Sequence, residues 1–243
     1  MAKPALYEQT IALNPSEHAQ LRVAVSAAPY AFAADMNVMP VSYSEFNDAC
    51  HHYPIVFMEG QPGHFHPVVL LGLEPQRNLY VAPSGNWSLD EYIPAFARRY
   101  PFMLGTAADQ QTLALHVDAN YAGLSESEGN ALYDNGEESE YFQNMMAFVR
   151  TYQEEIAASE QFGTRLHELG LLQPQSVTIT RDGKDQNLAG FSVVDREAYQ
   201  QLADEQVLEL FKNGALALIE RHLSSLGNVH RLGRQADRLR AAN

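Results

Sequence analysis

The sequence predicts an α+β protein: an antiparallel sheet in the N-terminal half plus a later hairpin, packed with a mainly helical C-terminal half. Three observations predict it. Short β-rich runs separated by turn residues occupy the stretch from Tyr53 to Val117, the pattern of a meander and not of alternating βαβ units. After about residue 138, apolar residues recur at steps of three and four, the helical period. Further on, two strand-like runs flank Asp182-Gly183, which reads as a hairpin. The 243 residues read as one domain, 1–243, with a soft division near 120–137.

In chain order, Leu21 to Val25 alternates as a strand does. Ser42 followed by Glu45 is a capping box and predicts a helix over about 43–52, with Phe46, Ala49 and Cys50 on one face. Strands follow from Pro54 to Met58, Pro67 to Leu73 and Asn78 to Ala82. Ser88 as N-cap, with Asp90 and Glu91 behind it, predicts a helix over about 89–99, which Pro101 closes; Pro94 lies too far in to be the first helical residue, so either the helix begins near Ile93 or its early turn is irregular. Pro101 to Gly105 and Thr112 to Val117 extend the same sheet. The acidic region from Glu126 to Glu140 is read as a solvated loop before a helix over about 138–159, whose stripe is Phe142, Met145, Met146, Val149, Tyr152 and Ile156.

A shorter helix from Phe162 to Leu169 ends at Gly170, a left-handed cap, with Pro174 beyond. Val177 to Thr180 and Leu188 to Val194 form the hairpin arms. Helices from Asp204 to Lys212 and Ala215 to Leu226 part at Asn213-Gly214. In the last segment Arg231, Arg234, Arg238 and Arg240 surround Asp237, either facing a partner or neutralising the protein's own acidic side.

Thirty acidic residues against sixteen basic ones give a net charge of −14. That argues against nucleic acid as a partner, since phosphate binding rests on Lys and Arg, and against anionic membrane. The longest apolar run, near Pro67 to Leu73, is far short of the roughly 20 residues that span a bilayer. The N-terminus lacks the apolar core of a secretory signal, and a single cysteine, Cys50, fits a reducing compartment. The expectation is a cytoplasmic protein.

The stretch from Asn86 to Leu104 holds the only Trp and an Arg pair. Adjacent arginines on a helix point about 100° apart, so one reaches inward beside Trp87 and Tyr92 while the other stays wet. Such a guanidinium either clamps a carboxylate or phosphate or serves a structural ion pair. Asp118, with Asn120, either orients a ligand at a strand end or stops the strand. His64 and His66 share a strand face and invite a metal, but no carboxylate follows at the spacing a cupin-like iron site wants. Cys50 reads as core, and His222 as a buried hydrogen-bonding histidine. No nucleotide loop, nucleophile elbow or zinc cysteine cluster is present.

The run WSLDEYIPAFARRYPF from Trp87 to Phe102, with YPIVF from Tyr53 to Phe57, resembles the bacterial SapC-like family. Further pieces follow in order, among them Glu45-Phe46, Asp118 with Asn120, and HLSSL from His222 to Leu226. The family takes its name from surface-layer-associated proteins, and the resemblance carries no catalytic residues or cofactor. It implies an accessory role beside outer-membrane nutrient receptors, in carbohydrate or peptide uptake.

The expectation is therefore a non-catalytic accessory or binding protein without cofactor or metal. Its pocket is lined by Trp87, Tyr92, Arg98, Arg99 and Asp118, and it takes a small anionic ligand or a protein segment. A metal- or oxygen-dependent enzyme using clustered histidines is the alternative. A homodimer through the helical half is a further expectation.

Overall fold

A computed structural model of the chain describes residues 7, 9–107, 112–181 and 184–241. The backbone gathers into two compact units. Met1–Phe32, Pro83–Asn86 and Phe96–Glu154 form the first, and Ala33–Ala82, Trp87–Ala95 and Glu155–Asn243 the second. The last passage between them falls after Glu154, not at the sequence's soft division near 120–137.

The first unit holds a three-stranded antiparallel sheet in which Leu113–Asp118 lies between Thr10–Ala12 and Phe102–Thr106. Period-two alternation buries Leu115 and Val117. They pack with Leu13, Val23, Phe102, Leu132, Phe142 and Val149. The two later strands were expected to extend the sheet of Tyr53 to Leu73; they pair with each other instead, as sequence neighbours readily do, and Leu113–Asp118 takes the N-terminal strand Thr10–Ala12 on its other edge. The expected strand at Leu21 to Val25 shortens to Arg22–Val23, paired with Leu124–Ser125 and Asn130–Ala131. Within the acidic region, Tyr133–Asp134 pairs with Glu137–Glu138. The connecting Asn135 and Gly136 have φ of 54° and 87°, the two positive angles that an Asn-Gly hairpin turn supplies. The Asn-Gly pair is the local sequence signal for that turn.

The second unit is built on a five-stranded antiparallel sheet, in the order Leu172–Arg181, Lys184–Val194, Ile55–Gln61, His64–Leu70, Val38–Pro40. The C-terminal hairpin thus joins the N-terminal strands, through Ser192 opposite Phe57. Its expected turn at Asp182-Gly183 lies outside the described residues. The capping box forms as predicted: Glu45 accepts the Ser42 N–H at 2.8 Å, ahead of the helix Phe46–Ala49. The expected strand at Asn78 to Ala82 is a single bridge, Val81 to Trp87. Asn78 explains this, since its Oδ1 accepts the Tyr80 N–H at 2.8 Å and holds the backbone in a local turn.

One helix, Glu140–Glu168, replaces the two expected between 138 and 169. A lone glycine, Gly163, costs a helix only about 1 kcal/mol, too little to break it. That glycine also permits a close crossing: a Cβ there would lie 2.3 Å from the Phe65 carbonyl oxygen. Gly170 ends the helix region at φ +69°, the left-handed cap that the sequence predicts. Asp204–Lys212 and Ala215–Ser225 part at Gly214 as expected, and Asn228–Ala241 follows. Phe57, Phe65, Leu166, Val194, Leu210, Ile219 and Leu223 form this unit's core.

Candidate functional site

The helix expected over 89–99 is confined to Ala95–Arg98. Ser88 does not cap it. Its N–H and Oγ–H both donate to the Tyr80 carbonyl, at 2.7 and 3.0 Å. Asp90 stands at φ 64°, and Leu89 is 91% exposed. Pro94, without an N–H, removes one helical bond more. Trp87 and Tyr92 accordingly belong to the second unit, and Arg98, Arg99 and Asp118 to the first.

In the second unit Trp87 is buried, and its indole N–H donates to the Tyr53 hydroxyl at 3.0 Å. That hydroxyl donates in turn to the Tyr92 carbonyl. The Tyr92 hydroxyl donates to Glu45 Oε1 at 2.9 Å, and the Ala95 N–H reaches the same oxygen at 2.6 Å. Glu45 Oε2 accepts the Ser42 N–H and Oγ–H at 2.8 and 2.9 Å. A carboxylate only 5% exposed is therefore met by four donors, which is how buried charge is tolerated. Tyr53 and Glu45 were absent from the expected site, and the Tyr53 to Phe57 run was the only signal for the first.

In the first unit the arginines divide, Arg98 at the end of the helix being exposed and Arg99, in the turn beyond it, half-buried. Arg98 Cζ sits 5.4 Å from the centre of the Phe148 ring. The Arg99 guanidinium carbon lies 4.7, 5.1 and 5.5 Å from the centres of the Phe96, Tyr152 and Tyr7 rings. Each face of such a cage is worth about 0.5–2 kcal/mol. Arg99 Nη1 donates to the Tyr7 hydroxyl at 3.0 Å. Its Nε is buried with no hydrogen-bond partner, and among the described residues no carboxylate pairs with it. Burial pushes the Tyr7 hydroxyl up to about 12, against the opposing pull of Arg99, so the phenol stays neutral and leaves that cation uncompensated.

Asp118 ends its strand, as one sequence reading held. Its Oδ1 accepts the Asn120 N–H at 3.0 Å and its Oδ2 the Tyr100 hydroxyl at 2.9 Å. Tyr100 stacks on Phe32 with ring centres 4.1 Å apart and meets Tyr121 edge-on. Arg98, Arg99 and Asp118 thus sit in one aromatic-rich unit with Tyr7 and Tyr100.

His222 and Cys50 are committed to structure. His222 is fully buried, as its sequence setting predicts. Its Nε2 accepts the Val194 N–H at 3.0 Å, so Nδ1 carries the proton and donates to the Ile55 carbonyl at 2.8 Å. Burial lowers its pKa to about 4. Cys50 is buried, donates to the Asn47 carbonyl, and is pushed up by burial, opposite to a reactive thiol. His64 opens its strand exposed, 3.2 Å from Glu160, and His66 is half-buried with its pKa lowered by burial. Among the described residues no group of three or more His, Cys, Asp or Glu is placed to hold a metal. No helix among them is long and apolar enough to cross a membrane.

Fold and composition define an acidic α+β protein. The chain belongs to the SapC family, whose model matches residues 13–232. No curated protein and no solved structure matches it.

Proposed function

We propose that this chain is a non-catalytic accessory protein that binds a small anionic ligand, or a carboxylate on a protein partner, through Arg99. One observation carries the reading: a half-buried guanidinium held by three aromatic rings, with its Nε unpartnered and no carboxylate beside it among the described residues. Caged this way, Arg99 is pre-organised, so a carboxylate arriving there gains a charge-assisted bond without first ordering a long side chain. Arg98 and Asp118 frame the same unit, the first as an exposed second cation. Trp87 and Tyr92 support the reading less directly, since both are engaged in the network around Tyr53 and Glu45. The commitment of His222, Cys50 and Glu45 to internal hydrogen bonds favours binding over catalysis.

The setting we assign is cytoplasmic and accessory to nutrient uptake, on the single cysteine and the family resemblance. Association of two copies through the helical half is supported by Val207, Leu208 and Phe211, which are 39, 51 and 70% exposed on one helix; sizing chromatography tests it. The binding reading is tested by thermal shift with acetate, succinate and citrate. At least one stabilises the wild-type chain, Arg99→Gln loses the shift, and Arg99→Lys keeps part of it. Equal shifts in all three proteins, or none in the wild type, overturn it.

A further inference from the structure

A second cationic site, independent of Arg99, lies in the other unit. The C-terminal helix Asn228–Ala241 buries Leu232 and Ala236. Positions 231, 234, 235 and 238 recur at steps of three and four, so they share a face. With Tyr80 and Glu91 they line a cleft of about 330 Å³, at the small end of ligand pockets.

The charges of that cleft do not cancel. Arg231 Nη2 pairs with Glu91 Oε1 at 2.5 Å, and its Nη1 donates to the His51 carbonyl. Glu91 Oε2 meets His52 Nδ1 at 2.9 Å. That pairing uses both carboxylate oxygens and one arginine. Arg240, on the same helix, pairs with Glu74. Arg234 and Arg238 are exposed and have no ion pair among the described residues, in a chain whose thirty carboxylates offer many.

Tyr80 supplies a second, separate indication. It is 1% exposed, yet its hydroxyl has no hydrogen-bond partner among the described residues. Its backbone is fixed by Asn78 and Ser88, and its ring packs edge-on against Tyr53 with centres 4.8 Å apart. Burial raises its pKa, so it is an O–H donor at neutral pH. A buried donor left unmade costs about 1–3 kcal/mol, which an acceptor in the cleft recovers.

We propose that this cleft binds a phosphate monoester. Two uncompensated guanidinium groups call for a dianion, and a phosphomonoester carries about −1.5 to −2 at neutral pH. Its three oxygens radiate from one atom, so the two arginines, the Tyr80 hydroxyl and the Gln235 amide can meet them in a small volume. A dicarboxylate of equal charge separates its two ends and fits the convergence less well.

The test is titration calorimetry of the full chain with inorganic phosphate and phenyl phosphate, with succinate as control at matched ionic strength. Saturable phosphate binding is expected at or below about 10 mM. The double variant R234Q/R238Q, altered only at exposed positions, weakens it at least about tenfold, the worth of one charge-assisted contact. Tyr80→Phe weakens it about fivefold or more without lowering the melting temperature, since the hydroxyl it removes holds nothing in the free protein. Unchanged affinity in R234Q/R238Q, no phosphate binding, or, in the Arg99→Gln chain, succinate binding as tightly as phosphate overturns the proposal. Arg99→Gln keeps phosphate binding; its loss there assigns the phosphate to the first unit and equally overturns it.

Discussion

The indole N–H of Trp87 donates to the hydroxyl oxygen of Tyr53 at 3.0 Å, with both side chains buried. Since Tyr53 passes its own proton to the Tyr92 carbonyl, one phenol ties the tryptophan to the segment that follows it.

Tyr53→Phe removes an acceptor and a donor at one buried point. The expected loss is about 2–3 kcal/mol, read from the denaturation midpoint. Emission from the only Trp reports the change in its surroundings directly. A midpoint within error of wild type would show the bond to be incidental.

Glu45→Gln keeps the shape but puts an NH2 where an oxygen now faces donors. With four donors converging on the two oxygens, the substitution is expected to cost about 2–4 kcal/mol. Amide exchange at Ser42 and Ala95 should quicken together. Fast exchange at one alone would mean that the carboxylate does not join them.

His222 sets an acid limit. Its folded pKa of about 4 lies below the unfolded value of about 6.5. The unfolded chain therefore takes up the proton first as pH falls. The stability held by neutral His222 is complete above about pH 6.5 and is lost between there and about 4, at up to about 1.4 kcal/mol per unit. His222→Gln is less stable at neutral pH but shows a flatter profile across that window. An unchanged slope would assign the acid sensitivity to other groups.

Gly163→Ala raises helix propensity by about 1 kcal/mol but drives a methyl to 2.3 Å from the Phe65 carbonyl oxygen. Overpacking costs about 1–3 kcal/mol, and a backbone oxygen gives way poorly, so net destabilisation is expected in thermal melts. A stabilised variant would place the helix farther from that strand.

What the sequence disclosed follows the range of the interactions. The capping box at Ser42 and Glu45, the Gly170 cap and the break at Gly214 are local, and each was legible. The second role of Glu45, receiving Tyr92 and Ala95 from about fifty residues away, left no local mark. The helix expected over 89–99 starts only at Ala95, because Asp90 takes a positive φ and Pro94 lacks an N–H, while Ser88 is held to the Tyr80 carbonyl across a turn. For the C-terminal arginines, neutralisation of the protein's own acids describes Arg231 and Arg240. It leaves out Arg234 and Arg238, whose surroundings only the fold defines.

The interleaved course of the chain has a practical side. Because the backbone alternates between the two units at Phe32, Ala82, Asn86, Ala95 and Glu154, no single cut releases either one whole. Even a cut after Glu154, the last crossing, leaves Ala33–Ala82 and Trp87–Ala95 of the second unit on the N-terminal piece. Truncation therefore cannot separate Arg99 from Arg234 and Arg238 as two intact pieces.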